Sequence, residues 1–466
     1  MNTIASVQPL LNYNQLRDYQ QHNVDFIMQR KTVGVFSQQR TGKTPTVCVA
    51  LNELDCTRVV IVCPASLRLA WRDEWHRWTG GTASLETNPE VIAKQIYTPE
   101  ITAIICSYER VRGRGKNDDT FIKALIKAKP DAVVLDEAHR MKNRKSLTYL
   151  ALKKLNKIPI RIAMTGTPAP NKPWDVWTIL NWLAPTVYSS YWRFIDTYFT
   201  TEEKYVGRDV HSSPVNYIPG MEEVLQLNLS IYCVQDKRKD VMQWLGEEPE
   251  PTIIRLECHP KQREAINSMM DYYSYKNIVT KSDLDNMTRV RQLCSDPKIL
   301  GINITSPKII WVKEYLKDYP SQSILIFSHS KKFLFNLMDE LYGIRRGIIC
   351  GDVPQEQRET IKARFQDGTI KVLLLQIQAA KEGLTLDQAD VSIFLDAYPP
   401  AADYAQAKDR MVATVPERAK PKMIIHTMMA DTYDEQLFNL VDHNIAVTAV
   451  VNDYKSYLNK RRQQNG

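Results

Sequence analysis

Three short stretches contain residues whose types and spacing could carry out chemistry together. They are "FSQQRTGKTPT" (36–46), "AVVLDEAHRMKN" (132–143) and "IAMTGTPAP" (162–170). In the first, Gly42, Lys43 and Thr44 follow the apolar run "TVGVF". A strand that turns into a helix there would aim backbone N–H groups at a phosphate; the lysine adds a point charge and the threonine hydroxyl reaches Mg2+. The loop has one glycine, and Pro45 follows the threonine. Proline is tolerated in a first helical turn, so neither feature excludes the site. Taken alone, the triplet fits a nucleotide site and a surface turn equally.

The second stretch places Asp136 and Glu137 after four apolar residues. At the carboxyl end of a strand, where open α/β sheets bind ligands, such a pair can hold hydrated Mg2+ and orient an attacking water. Asp136 would take the metal and Glu137 the water. An isolated Asp-Glu pair also fits a solvated helix start, but the upstream Gly-Lys-Thr makes nucleotide hydrolysis the better reading. In the third stretch Thr165 and Thr167 flank Gly166 at another strand end. Their hydroxyls would face the same crevice, though spacing alone gives them no chemical role, and a strand-to-helix loop is the alternative.

The elements that must position these groups recur along the chain. Near-continuous β-branched runs at 32–36, 58–64, 101–107, 131–137 and 160–167 alternate with helical stretches, and the rhythm returns at 323–328, 345–351, 371–377, 390–396 and 422–428. Runs apolar on both faces are those of parallel sheets covered by helices. The fold class expected is α/β: two tandem RecA-like parallel-sheet domains with a helical insertion and a helical C-terminal tail. The boundaries read as a first ATP-binding domain at 1–187, the insertion at 188–305, a second domain at 306–433 and the tail at 434–466, ending in a solvated "KRRQQNG".

Length and composition agree with this division. The 466 residues exceed what one core supports, since cores stop growing at roughly 250 to 300 residues. With 44% hydrophobic and 24% charged residues the chain is ordinary globular protein, not a disordered one. Lys and Arg exceed Asp and Glu by 61 to 53, a net +8 that suits a polyanion partner. The eight cysteines form no CxxC pair, which points to a reducing compartment without disulfides or zinc. No signal peptide and no run of 18 apolar residues is visible, so a soluble, intracellular protein is expected. Trp71, Trp75 and Trp78 fall at helical spacing and read as core packing rather than base stacking.

In this order the motifs resemble those of helicase superfamily two, and more narrowly of the Swi/Snf-type DNA translocases, over nearly the whole chain. "LRDYQQHNVDFI" (16–27) is similar to the family's adenine-recognition motif. The resemblance implies that Gln20 reads the base and that Arg17 and Thr41 join Gly42, Lys43 and Thr44 in binding ATP, with Mg2+ on Thr44 and Asp136. "VIVCPASLRLAWRDEW" and "ICSYERVR" resemble motifs Ia and Ib, which implies DNA contact near Pro64, Ser66 and Ser107. "DEAHRMKN" matches motif II and "TGTPAPNKPWDVWTILNWLAP" resembles motif III, so His139, Thr165 and Thr167 are implied to couple ATP to DNA. "SILIFSHS" resembles motif IV, with Ser328 toward DNA, and residues 373–410 resemble motifs V and VI. There the resemblance implies DNA contact at Gly383 and Thr385 and phosphate contact by Gln406 and Arg410. "IYCVQDKRKDVMQWL" resembles the family's LRR-x-K-x-DV segment, and "TRVRQLCSDPKIL" its LRQ-x-C-x-x-P-x-L segment; neither is expected in plain unwinding helicases. The short insertion is most similar to that of the fork-remodelling, annealing-helicase branch.

Three positions depart from the pattern. Ala413 stands where motif VI has a second arginine, Arg40 where motif I usually has glycine, and Gln378 where motif V commonly has arginine. An arginine donated to a transferring phosphate is worth ~10³ to 10⁵ in rate. Either Arg410 serves alone, or Arg418 substitutes, or hydrolysis is lost; the intact Lys43, Asp136 and Glu137 favour the first. The reading is a monomeric, DNA-dependent ATPase that translocates on duplex DNA and remodels branched structures, with ATP bound between the two sheets. Its rivals are an ATP-binding regulator that barely hydrolyses and a conventional strand-unwinding helicase.

Overall fold

The computed structural model describes residues 12–95, 101–115, 118–169, 172–206, 209–380, 385–397, 401–442 and 447–465. The chain divides into two compact units, Met1–Gln243 and Trp244–Gly466.

In the first unit each expected β-branched run is a strand: β1 (Thr32–Val35), β2 (Val59–Cys63), β4 (Ile101–Ser107), β5 (Ala132–Asp136) and β6 (Ile160–Met164), with β3 (Thr82–Ser84) added at one edge. The central strands β2, β5 and β6 are buried along their whole length, as expected when helices cover both faces. All strand pairs of this sheet are parallel, in the order β3-β4-β2-β5-β6-β1-β9, where β9 is Cys233–Val234. Because β5, β6 and β1 are consecutive neighbours and parallel, the loops that follow them leave from one edge of the sheet. Topology alone therefore gathers the three chemistry-bearing stretches.

Separate cores lie on the two faces. One is built around Val62, Leu135, Trp182 and Phe194. The other joins α1 (Asp18–Arg30), α2 (Lys43–Glu53) and α3 (Arg68–Thr79) through Ile27, Leu51 and Trp75.

The second unit repeats the architecture. β10 (Thr252–Leu256), β13 (Ile324–Ser328), β14 (Arg346–Ile349), β15 (Val372–Gln376), β16 (Val391–Phe394) and β17 (Met423–Met429) form a parallel sheet in the order β10-β17-β16-β13-β15-β14. The expected pair of parallel α/β sheets is thus present.

Residues 188–305 carry helices, as expected, at Tyr191–Tyr198, Met221–Tyr232, Pro260–Tyr272 and Asp283–Ser295, and unexpected strands in addition. Cys233–Val234 completes the first sheet and Thr252–Leu256 the second. β7 (Phe199–Val206) and β8 (Asp209–Tyr217) pair as an antiparallel hairpin, and β11 (Ser274–Tyr275) and β12 (Ile278–Val279) form a second, short one. The reason is local. β9 has only two residues, β10 is an edge strand with no buried side chain, and "TTEEKYV" has no apolar run to betray a strand. The stretch also divides between the units, at Gln243 and Trp244. The tail is helical as expected, over Tyr433–Asp442 and Val447–Asn465, but it is not merely solvated. Tyr454 and Leu458 enter the core, and Arg461 donates to Asp271 and Asn267. Among the described residues no helix is long and apolar enough to cross a membrane.

Candidate nucleotide site and basic groove

The loop from Ser37 to Gly42 joins β1 to α2. Gly42 is the residue before the helix and has φ +75°, in the left-handed region where a side chain is strained. A Cβ there would also lie 2.3 Å from Nε2 of Gln20. Lys43, Thr44 and Pro45 are the first three helical residues, so the proline takes a position whose N–H has no intrahelical acceptor. Lys43 Nζ donates to the carbonyls of Ser37 (2.9 Å) and Gln38 (3.0 Å). Thr41 is buried and its hydroxyl donates to the Gln38 carbonyl at 2.8 Å, while Thr44 is half-buried.

The first turn of α1 holds the loop from the other side. Gln20 is buried; its Oε1 accepts from the Arg17 backbone at 3.0 Å and its Nε2 donates to the Gly42 carbonyl at 3.2 Å. Tyr19 donates to the Thr41 carbonyl at 2.8 Å, and Arg17 Nη1 to the Tyr19 hydroxyl at 3.4 Å. The amide expected on a base is therefore engaged with the loop backbone here.

Asp136 ends β5. Its Oδ2 accepts from the indole Nε1 of Trp71 at 2.8 Å and its Oδ1 from the Glu137 backbone at 2.9 Å. The Asp136 carbonyl accepts from the Tyr108 hydroxyl at 2.7 Å. Burial, reinforced by the neighbouring Glu137 charge, pushes the Asp136 carboxyl up to about 6; the Trp71 hydrogen bond and Lys43 act against this. Glu137 has φ +53°, an uncommon conformation for a side-chain-bearing residue and one that clusters at functional sites. His139 Nδ1 lies 3.2 Å from Glu137 Oε2 and 3.0 Å from Thr165 Oγ1, which in turn accepts from the Thr167 backbone at 3.1 Å. The carboxylate pair and the Thr165–Thr167 turn are thus joined through one imidazole.

Gly166 lies against the phosphate-type loop. A Cβ on it would stand 2.9 Å from Gln39 Cγ and 3.8 Å from Lys43 Nζ. The space beside the lysine is a cradle that one methyl group would fill. A loop of backbone N–H groups opening a helix, a lysine, a hydroxyl and a buried carboxylate form a donor set that fits a magnesium-bound nucleoside triphosphate.

The other expected residues are distributed as follows. Pro64 is buried and Ser66 half-buried, in the turn after β2. Ser107 caps the helix Tyr108–Arg112, accepting from the Arg110 backbone at 3.2 Å. It also lines a groove of about 740 Å³ with Glu109, Arg110, Arg112, Arg114, Ser146 and Thr148, in which three arginines outnumber one glutamate.

In the second unit Ser328 is fully buried and donates to Asp396, an inward structural role. Thr385 accepts from Gln366 through its carbonyl at 2.6 Å. Gly383 lies outside the described residues. Gln406 and Arg410 are both buried, and the Arg410 carbonyl accepts from the Leu386 backbone at 2.9 Å. Ala413 is 2% exposed, and the half-exposed Arg418 is paired with the buried Asp387 at 3.3 Å.

Two contributors were not recognisable in the sequence as part of this site. Trp71 reads as core and is core, yet its indole also holds the metal-type carboxylate. Asp236 lies 199 residues from Ser37 and accepts from its hydroxyl; nothing in the spacing of the two residues signals the contact.

Comparison with known proteins places these features in a family. Residues 1–299 match the SNF2-related domain and residues 307–413 the helicase conserved C-terminal domain. The Bos taurus SWI/SNF-related matrix-associated actin-dependent regulator of chromatin subfamily A-like protein 1 is 25% identical over 93% of this chain and 44% of its own length. The Bos taurus DNA annealing helicase and endonuclease ZRANB3 is 25% identical over 85% of this chain and 37% of its own. The chain thus spans less than half the length of these relatives. The solved Pyrococcus furiosus Hef helicase domain aligns with a TM-score of 0.55 at 15% identity, covering 92% of this chain and 99% of that one, a likeness of fold.

Proposed function

The chain belongs to the SNF2-related family, and from that premise we propose that it is a DNA-dependent ATPase that translocates on duplex DNA and remodels branched DNA. The observation that carries the ATPase reading is the convergence of Lys43, Asp136, Glu137 and the Thr165–Thr167 turn at one edge of the first sheet. Gly42, Lys43 and Thr44 would hold the phosphates, and Asp136 with Thr44 the Mg2+. Bound ATP supplies the phosphoanhydride bond that is cleaved. Glu137 would orient the attacking water and accept its proton on the carboxylate. His139, in contact with both Glu137 and Thr165, would pass a shift of either loop to the other. By the resemblance of their segment to motif VI, Gln406 and Arg410 are proposed as further phosphate-contacting residues. The groove lined by Ser107, Arg110, Arg112 and Arg114 supports binding of a phosphate backbone, which carries affinity without sequence preference. The branched-DNA part of the reading is supported by the name of the bovine annealing-helicase relative.

Measuring ATP turnover with no DNA and with single-stranded, duplex, forked and four-way DNA tests the reading. Turnover is expected to rise with duplex or branched DNA, and Lys43→Ala to reduce it at least ~100-fold, in line with the loss of a transition-state charge contact. ATP binding without turnover would favour the regulator, a reading for which the buried Ala413 is the supporting observation. Strand displacement on a tailed duplex without branch migration would favour a conventional helicase.

A further inference from the structure

Lys43 Nζ donates to the carbonyls of Ser37 and Gln38, and both residues are fixed from a segment about 200 positions away. The Ser37 hydroxyl donates to Asp236 Oδ2 at 2.5 Å, and the Asp236 backbone N–H donates back to that hydroxyl at 3.2 Å. The Gln38 N–H donates to the Asp236 carbonyl at 2.9 Å, and Gln38 Oε1 accepts from the Arg238 N–H at 2.7 Å. One residue earlier, the Phe36 N–H donates to the Val234 carbonyl at 2.9 Å, continuing the parallel pairing of β1 with β9. The same Asp236 oxygen accepts from Nδ2 of the buried Asn23 on α1 at 2.7 Å. Gly34 lets β9 come this close, for a Cβ there would stand 2.6 Å from Cys233 Sγ.

We propose that Asp236 is a positioning residue for Lys43, acting through the Ser37 and Gln38 carbonyls, and that the 233–238 segment is thereby a working part of the nucleotide site. A lysine ammonium sits on a flexible four-carbon stem, so its location is set by the acceptors that hold it. Those acceptors belong to a loop outside regular structure, and Asp236 ties their residues on both the side-chain and main-chain side. Against the pattern LRR-x-K-x-DV, Asp236 occupies the position of the second arginine, so the carboxylate clamp is a feature of this chain's own sequence. The proposal rests on the ATPase reading, and the experiment separates the two.

Binding of a non-hydrolysable ATP analogue with Mg2+ is measured by calorimetry on the full chain, for wild type, Asp236→Ala, Asp236→Asn, Lys43→Ala and the Lys43→Ala/Asp236→Ala pair. Asp236→Ala is expected to weaken binding roughly 10-fold to 100-fold, the scale of a lost charge-assisted hydrogen bond. Asp236→Asn, whose amide oxygen still accepts, is expected to recover most of it. In the Lys43→Ala background the Asp236 change is expected to cost nothing more, because the group it positions is gone. A purely structural role would lower the melting temperature and give losses that add, and additive losses overturn the proposal. Unchanged affinity in a folded Asp236→Ala chain overturns it too. If Asp236→Ala does not fold, Ser37→Ala carries the same cycle, since it leaves Asp236 paired with Asn23. A wild-type chain that binds no nucleotide overturns the ATPase reading and the proposal with it, whereas additive losses on a binding wild type overturn the proposal alone.

Discussion

Arg40 has φ +70°, a backbone conformation in which glycine is at ease and a Cβ-bearing residue is not. The family pattern usually has glycine at this position of the loop, so the chain has kept the backbone shape and changed the residue. Left-handed backbone costs a non-glycine residue roughly 1 to 2 kcal/mol, partly offset by the greater entropy that glycine loses on folding. Arg40→Gly is accordingly expected to stabilise the first unit by up to ~1 kcal/mol and to raise its thermal midpoint by ~1 to 3 °C, read by calorimetry. A lower midpoint would mean that contacts of the Arg40 side chain outweigh the strain. The same scale shows why residue identity gave only part of the site. Lys43, Asp136 and Glu137 are legible because their two stretches occur together, each being ambiguous alone. Trp71 is not, since an indole that packs and an indole that also donates to a carboxylate look the same in a sequence. Ser328, placed toward DNA by the resemblance of its segment to motif IV, donates to the buried Asp396 here.

At the scale of elements, the central strands are legible because burial on both faces forces an uninterrupted apolar run, and the edge strand β14 is legible from its own apolar residues. The edge strand β10 lacks that constraint and β9, though buried, has only two residues, so each is defined by its partner rather than by its own residues. A buried coupling between elements in the second unit was equally invisible. The helix Ala401–Lys408, which carries Gln406, is tied to β17 by the Tyr404 hydroxyl on His426 Nε2, with His426 stacked on Phe438 at 4.7 Å. Burial above all, and then Lys408, pulls the His426 imidazole down to about 3 from its ordinary 6.5. Between those two values the unfolded chain binds a proton that the folded chain does not. His426 therefore supports the fold fully above about pH 6.5, and this contribution is lost progressively as the pH falls toward 3. Urea unfolding of the second unit is expected to show stability falling by up to ~1.4 kcal/mol per pH unit from this group below pH 6.5. His426→Phe is expected to flatten that slope; an unchanged slope would assign the acid sensitivity to other groups.

For the molecule as a whole, a net charge of +8 spread over 466 residues is modest, so affinity for a polyanion must come from where the cations gather rather than from their number. In the first unit one place where cations lie together is the groove containing Ser107, Glu109, Arg110, Arg112 and Arg114. Arg112 and Arg114 are exposed, while the Arg110 guanidinium is drawn inward onto the Thr87 carbonyl at 2.9 Å, so the first two are the available phosphate contacts. Each phosphate neutralised releases condensed counterions, and log K falls with log salt by ~0.9 per contact on duplex DNA. If the proposed duplex binding runs through this groove, Arg112→Ala with Arg114→Ala should reduce the steepness of that line by ~2. The loss should be similar for unrelated sequences of the same length, because backbone contacts carry no base information. Titrating labelled duplexes from low to physiological salt measures both quantities. A slope unchanged by the pair would move the duplex to another face of the protein, whereas a reduced slope accompanied by new sequence preference would mean that base edges are being read.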